Sequence, residues 1–156
     1  MGGFQSGANK DNFSGTVKKS IVIHAPQYIV WKKISNIVGL PEWVIDVKKT
    51  VFLSNLKRGI GAIRKLTFDD GNVVKENVVG WKDVEYFSYI AVSGLPLRGY
   101  HATLSIKPLD KKSVQLTWKS FFNSEKMTKS EFNEFISFMN SFYLNSLKNL
   151  KSILEK

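Results

Sequence analysis

The 156-residue chain predicts a single α+β domain, and three observations carry that prediction. A β-branched alternating run, VKKSIVIH, occupies 17–24. Six more short alternating runs follow at 47–54, 60–68, 72–81, 85–93, 99–107 and 113–122, and a wide apolar stripe at helical spacing closes the chain over about 128–154. Strands this close together, with turn signals and no helix between them, form an antiparallel meander. The closing helix then has one surface to cover, the concave face of that twisted sheet.

Each element has its own local reason. Ala25-Pro26 breaks the first strand. Pro26 suits the first turn of a helix, in which Val30, Ile34 and Ile37/Val38 recur at helical spacing up to a stop at Gly39. A short Pro-containing segment, LPEWVID, follows. The six later runs are divided by Lys57-Arg58-Gly59, Asp69-Asp70-Gly71, Lys82-Asp83, Gly94-Leu95-Pro96 and Asp110-Lys111-Lys112. The last helix opens on a capping box, Thr128-Lys129-Ser130-Glu131, with Met127 and Phe132 spaced as a hydrophobic staple. Phe132, Phe135/Ile136, Met139, Phe142/Tyr143, Leu147, Leu150 and Leu154 make its apolar stripe.

Composition narrows the chemistry. There is no cysteine, which excludes disulfides, thiolate metal sites and cysteine nucleophiles. Two histidines, His24 and His101, supply little for a metal site or a triad, and no metal or cofactor motif is expected. The net charge is +10. A solvated, Lys-rich surface accounts for it, and anionic partners are the competing reading. The cations are scattered without a nucleic-acid signature, so nucleic acid is not an expected partner, whereas weak peripheral attachment to lipid headgroups stays open. No stretch approaches the ~18 apolar residues of a membrane span. Residues 1–15, MGGFQSGANKDNFSG, lack the apolar core of a secretory signal; they read as a disordered leader before one domain at 16–156, and the protein as cytoplasmic. Gly2 and Ser6 match the acylation pattern M-G-x-x-x-S, against a plain floppy leader.

The most informative stretch is GAIRKLTFDDGNVVKEN, 61–77. A two-residue turn at Asp70-Gly71 sets Arg64 opposite Asn77 and leaves both strand faces mixed, which a half-buried sheet avoids. A three-residue turn, Asp69-Asp70-Gly71 with a left-handed glycine, puts Ala62, Leu66, Phe68, Val74 and Val78 on one face and the lysines on the other. Arg64 then lies across from Glu76 on the apolar side. A buried ion pair often does not repay its desolvation, so stability alone is a weak reason to keep one. A hollow, partly polar interior is the better reason; a half-solvated pair that only fixes register is the alternative.

Alternation adds candidates for the same space. Tyr100 faces in with Leu104 and Ile106, leaving His101 outward. Trp118 faces in with Val114 and Leu116. The pattern of 85–93 does not settle its face, and Tyr89 is taken over Ser88 and Ile90. Trp43 is placed to cap the cavity mouth, and Phe135, Met139 and Phe142 supply apolar lining from the helix. For each aromatic the competing reading is ordinary core, and for Trp118 that reading is the stronger one.

Taken in order, APQYIVWKKISNIVGLPEW, GAIRKLTFDDGNVVKEN, FSYIAVSGLPLRGYHATLSI and VQLTWKSFF resemble the polyketide cyclase/dehydrase-type members of the START/Bet v 1-like (SRPBCC, helix-grip) superfamily over roughly 17–154. The nearest flavour is the bacterial and archaeal subset that includes proteins of methanol-oxidation clusters. Plant abscisic acid receptors share the G-x-x-R…E pattern more distantly. The resemblance implies a seven-stranded antiparallel sheet wrapped around a long C-terminal helix, two short helices after the first strand, and a ligand cavity between sheet and helix. It carries Gly61 and Arg64 onto the G-x-x-R strand, Glu76 onto its partner, Ser93–Leu97 (with Leu97 as a ligand contact) onto a gating loop, Tyr100 onto a pocket tyrosine and Trp118 onto the tryptophan of the last strand. One departure is visible: relatives often follow the tryptophan at Trp43's position with His-Pro, where this chain has Val44-Ile45.

The first functional expectation is a binding or carrier protein for a small, mostly apolar ligand with a polar handle, which Arg64 holds, Glu76 orients and Tyr89 or Tyr100 supports. The alternative is a cyclase- or dehydratase-like enzyme using Glu76 as base and a tyrosine as acid, with Glu76, Arg64 and Tyr100 as catalytic candidates. A basic adaptor on anionic lipid is the third. Ligand identity and oligomeric state are not legible.

Overall fold

The computed structural model describes residues 12–156. Along the chain lie β1 (Ser14–Ile23), α1 (Gln27–Ile34), a 3-10 turn (Leu40–Glu42), β2 (Val47–Phe52), β3 (Ile63–Phe68), β4 (Val73–Lys82), β5 (Tyr86–Ser93), β6 (Leu97–Asp110), β7 (Ser113–Ser124) and α2 (Lys129–Leu154). The strands form one seven-stranded antiparallel sheet in the order β1-β7-β6-β5-β4-β3-β2, and α2 packs on it along β1. This is the helix-grip architecture, with the core between the concave sheet face and the helix. No described helix is long and apolar enough to cross a membrane.

The elements form for the local reasons read above. Thr128 Oγ1 accepts from the Glu131 amide at 3.1 Å, and the Glu131 carboxylate accepts from the Thr128 amide at 2.8 Å. Phe132, Met139, Phe142, Tyr143, Leu147 and Leu150 are buried along the stripe. α1 buries Val30, Trp31 and Ile34, and Trp31 packs edge-on to Trp81 at 5.3 Å near the β4–β5 turn.

Three boundaries differ from expectation. The first helix stops at Ile34 rather than Gly39: Ser35-Asn36 favour local side-chain competition over helix, and the Ile37 carbonyl is taken by Arg64 instead. Gly39 precedes the 3-10 turn, so one short α-helix and a three-residue turn stand where two helices were expected. At the N-terminus, β1 begins at Ser14, inside the segment assigned to the leader. Its ladder with β7 runs from Ser14↔Asn123, and the Phe13 amide donates to Ser124 Oγ at 2.9 Å. Residues 12–15 therefore belong to the domain, and Phe13 packs on Phe132 at 5.7 Å between ring centroids. The M-G-x-x-x-S motif lies outside the described residues.

The β3–β4 turn has three residues. The Phe68 amide donates to the Asn72 carbonyl at 2.9 Å, the Gly71 amide donates to the Phe68 carbonyl at 2.9 Å, and Gly71 is left-handed at φ 89°. Arg64 consequently pairs with Glu76, Leu66 with Val74 and Lys65 with Lys75. The β5–β6 loop is tied to this hairpin, since Asn72 Nδ2 donates to the Gly94 carbonyl at 3.1 Å. Gly94 is also left-handed, and a Cβ there would stand 2.0 Å from the Val73 carbonyl oxygen. Gly71 has open space around it. Gly71→Ala should therefore cost only left-handed strain, about 1–2 kcal/mol, while Gly94→Ala must also push the loop off β4. Thermal unfolding should show the larger loss of melting temperature for Gly94→Ala; equal losses would refute this close approach.

Candidate functional site

The polar centre of the interior is built by β3 and β4. Arg64 and Glu76 are 2% and 6% exposed, so neither charge is solvated from outside. Arg64 Nε donates to Glu76 Oε1 at 2.9 Å, and a terminal nitrogen reaches the same oxygen at 2.8 Å. Its other terminal nitrogen donates to the Ile37 carbonyl at 2.8 Å. The guanidinium lies 4.7 Å from the Tyr89 ring centroid, a cation–π contact in a dry setting. Arg64 is thus held inside the protein on three sides. Both contacts to Glu76 fall on Oε1, so Oε2 takes none of the guanidinium's hydrogen bonds.

Burial pushes the Glu76 carboxyl above its ordinary range, and the Arg64 charge and hydrogen bond only partly offset that. Desolvation dominates because the pair is enclosed and the fork is not bidentate across both oxygens.

Beside this pair lies a cavity of about 90 Å³ between the sheet and α2, into which Arg64 and Glu76 face. Its sheet-side wall includes Tyr89, Tyr100 and Trp118, and its helix-side wall Phe135, Met139 and Phe142. Leu95 of the β5–β6 loop and Phe138 of α2 also line it. Phe138 is 56% exposed, which marks the mouth between helix and loop. Trp43 contributes from the segment after the 3-10 turn. That segment is pinned to α2: Ser146 Oγ accepts from the Ile45 amide at 3.1 Å, and Asn149 Nδ2 donates to the Trp43 carbonyl at 3.1 Å. The Trp43 indole nitrogen is buried and has no hydrogen-bond partner in the protein. A buried N–H without an acceptor costs roughly 1–3 kcal/mol.

The tyrosines form a second polar set. The Trp118 indole donates to the Tyr89 hydroxyl at 3.1 Å, and the Tyr100 and Tyr143 hydroxyls are hydrogen-bonded to each other. Trp118 stacks on Tyr143 at 4.0 Å between centroids. Burial raises all three tyrosine pKa values and keeps the phenols protonated.

The expected site residues therefore converge apart from Leu97, but Trp43, expected to cap the mouth, is 1% exposed and forms an inner wall instead. Leu97 sits at the start of β6 and lines a neighbouring small cleft together with Leu95 and Tyr100, whereas Leu95 of the same loop also reaches the cavity. Alternation gives no guidance inside an irregular loop, so the sequence could not choose between them. Ser146 and Asn149 were also missed. A small polar residue on an otherwise apolar helical stripe is the signal that marks Ser146. Val44 lines the cavity as an apolar side chain.

Comparison with known proteins follows the same lines. The family model described as polyketide cyclase/dehydrase and lipid transport matches residues 14–155. Among solved structures, the protein XoxI from Bacillus cereus superposes with a TM-score of 0.76 at 22% identity, covering 90% of this chain and 95% of that one. The Zhui aromatase/cyclase from Streptomyces sp. R1128 gives 0.76 at 17% identity, over 92% and 94%. A norcoclaurine synthase from Thalictrum flavum gives 0.71 at 14% identity, over 92% and 96%. At these identities the likeness is one of fold. The comparison with curated proteins gives no match.

Folding stability should register the buried carboxyl. A folded-state pKa above the unfolded value of about 4.5 means that the folded protein holds the proton more tightly. Stability should therefore fall as pH rises from that value through the raised one, then level off. Urea unfolding across this range should show that fall in the native protein and a flatter profile in Glu76→Gln. A native profile that rises instead would mean that the ion pair outweighs burial.

Proposed function

The chain belongs to the polyketide cyclase/dehydrase and lipid transport family, and on that premise we propose that it binds and carries a small, mostly apolar molecule with a neutral polar handle. The observation that carries this reading is the pairing, in one apolar cavity, of a Glu76 oxygen left free by Arg64 with a buried Trp43 whose indole N–H lacks a partner. An acceptor and a donor with unmet capacity favour a handle such as a hydroxyl or a carbonyl. A ligand carboxylate fits less well, because the Arg64 charge is already matched by Glu76. Arg64 serves this reading by fixing Glu76, and Tyr89, Tyr100, Trp118, Phe135, Met139 and Phe142 by enclosing the apolar body.

Size constrains the mechanism. An engineered apolar cavity of roughly 150 Å³ holds benzene, and about 90 Å³ leaves less room than that for a larger ligand. Binding therefore requires side chains at the mouth to move, with Phe138 on α2 and Leu95 on the loop as the exposed and half-exposed gateposts. The Asn72–Gly94 bond sets how firmly the loop side resists.

Native mass spectrometry of the purified protein, followed by denaturing extraction, tests this reading first. A co-purified amphiphile or aromatic is the expected result; no mass increment, together with no binding across a broad apolar panel, defeats it. Trp43→Phe keeps the ring and removes the donor. It should weaken binding about five- to tenfold, one neutral hydrogen bond, while leaving the melting temperature within a degree or two.

A cyclase- or dehydratase-like reaction is the second reading, favoured by one feature. Glu76, whose Oε2 takes no guanidinium hydrogen bond, lines the same cavity as Tyr100, whose burial keeps its phenol a donor. Glu76 then takes the proton and Tyr100 supplies one. If turnover is found, Glu76→Gln should lower it by at least a hundredfold; full turnover in that variant removes Glu76 from the role of base.

A further inference from the structure

The outer face of the sheet has a charge pattern that the cavity does not explain. The seven strands contain two acidic residues, Glu76, which faces in, and Asp110, at the β6–β7 turn. Between the turns the outward positions carry cations without carboxylates: Lys18, Lys119 and Lys107 on one half, Lys65, Lys75 and Lys49 on the other. None of these six lysines takes part in an ion pair among the described residues.

Two pairs stand directly opposite one another across adjacent strands, Lys18 with Lys119 and Lys65 with Lys75. Like charges in that position destabilise a sheet. Folding alone gives no reason for two such pairs on one face. The same face exposes apolar side chains: Phe121, next but one to Lys119, is 52% exposed, and Val22 and Val73 are 39% and 38% exposed. The Lys119 ammonium lies 4.8 Å from the Phe121 ring centroid.

We propose that this outer sheet face docks on anionic phospholipid surfaces. Phosphate-rich headgroups supply the counter-charge that the fold leaves out, each lysine stem lies along apolar surface while its ammonium meets a headgroup, and Phe121 enters the interfacial layer as an aromatic anchor. Lysines interleaved with exposed valine and phenylalanine suit a lipid interface better than a nucleic acid, whose phosphates are tracked by a groove with stacking aromatics. The surface lies on the opposite side of the sheet from the cavity, so docking leaves the mouth free and is independent of what the cavity holds.

Co-sedimentation of the full chain with vesicles of phosphatidylserine in phosphatidylcholine tests the proposal, against pure phosphatidylcholine and at low and high salt. Binding should need the anionic lipid and fall steeply with salt. Lys18→Gln/Lys119→Gln and Lys65→Gln/Lys75→Gln should each weaken it by about twenty-five-fold, roughly fivefold per lysine. Both pairs should also raise the melting temperature, because the cross-strand repulsion is gone. Phe121→Ser should weaken binding at every salt concentration. Lys126→Gln/Lys148→Gln removes the same charge elsewhere and should leave binding within twofold. No binding to anionic vesicles, equal loss in that control, or a preference for duplex nucleic acid over vesicles would each overturn the proposal. Trp43→Phe should bind vesicles normally, which separates this outcome from the fate of the cavity reading.

Discussion

The cross-strand pair of Arg64 and Glu76 is the constraint around which the rest of the interior is arranged. Its two residues meet because the β3–β4 turn has three residues and Gly71 accepts a left-handed backbone. Once buried, the guanidinium must have its donors occupied, and the fold supplies the Ile37 carbonyl as well as Glu76. That demand draws the segment after α1 across the end of the sheet. The segment in turn delivers Leu40, Trp43 and Val44 to the cavity wall, where α2 fastens it through Ser146 and Asn149. One buried charge thus couples a hairpin, an irregular segment and the long helix.

The chemistry of the cavity follows from how incompletely this pair is satisfied. A symmetric fork would have used both carboxylate oxygens and left an inert structural bridge. Here one oxygen takes both contacts, burial raises the affinity of the carboxyl for a proton, and the indole N–H of Trp43, another residue of the cavity wall, has no acceptor. Unmet polar capacity inside an apolar wall has a cost to folding, and it is also the feature that lets a cavity recognise a handle rather than any greasy body. The aromatic hydroxyls differ: Tyr89, Tyr100 and Tyr143 have partners within the protein.

Legibility in the sequence tracked the length and regularity of each element. The hairpin register was readable because alternation is binary, and only one turn length sorts lysines from aliphatics. The capping box and stripe of α2 were readable because their spacing is local. The end of α1, the start of β1 and the choice of Leu95 over Leu97 were not, since each is decided by a distant partner. Arg64 claims the Ile37 carbonyl, β7 extends β1 back to Ser14, and the Asn72–Gly94 bond fixes the loop. Tyr89 lay between these cases: its strand alternates too weakly to fix a face, and its place depends on pairing with Ala102.

The two faces of the sheet are consequences of one register. In a strand with period two, the pairing that sets Arg64 against Glu76 inside also sets Lys65 against Lys75 outside. A slip of one residue in β4 would turn Lys75 inward and Glu76 outward and leave Arg64 inside, opposite Asn77 and without its carboxylate, so the turn at 69–71 protects both arrangements together. Neither arrangement is what stability alone would select: one buries charge, the other opposes like charges across a ladder. The two arrangements can be altered separately, because β-structure puts them on opposite sides of the same two strands.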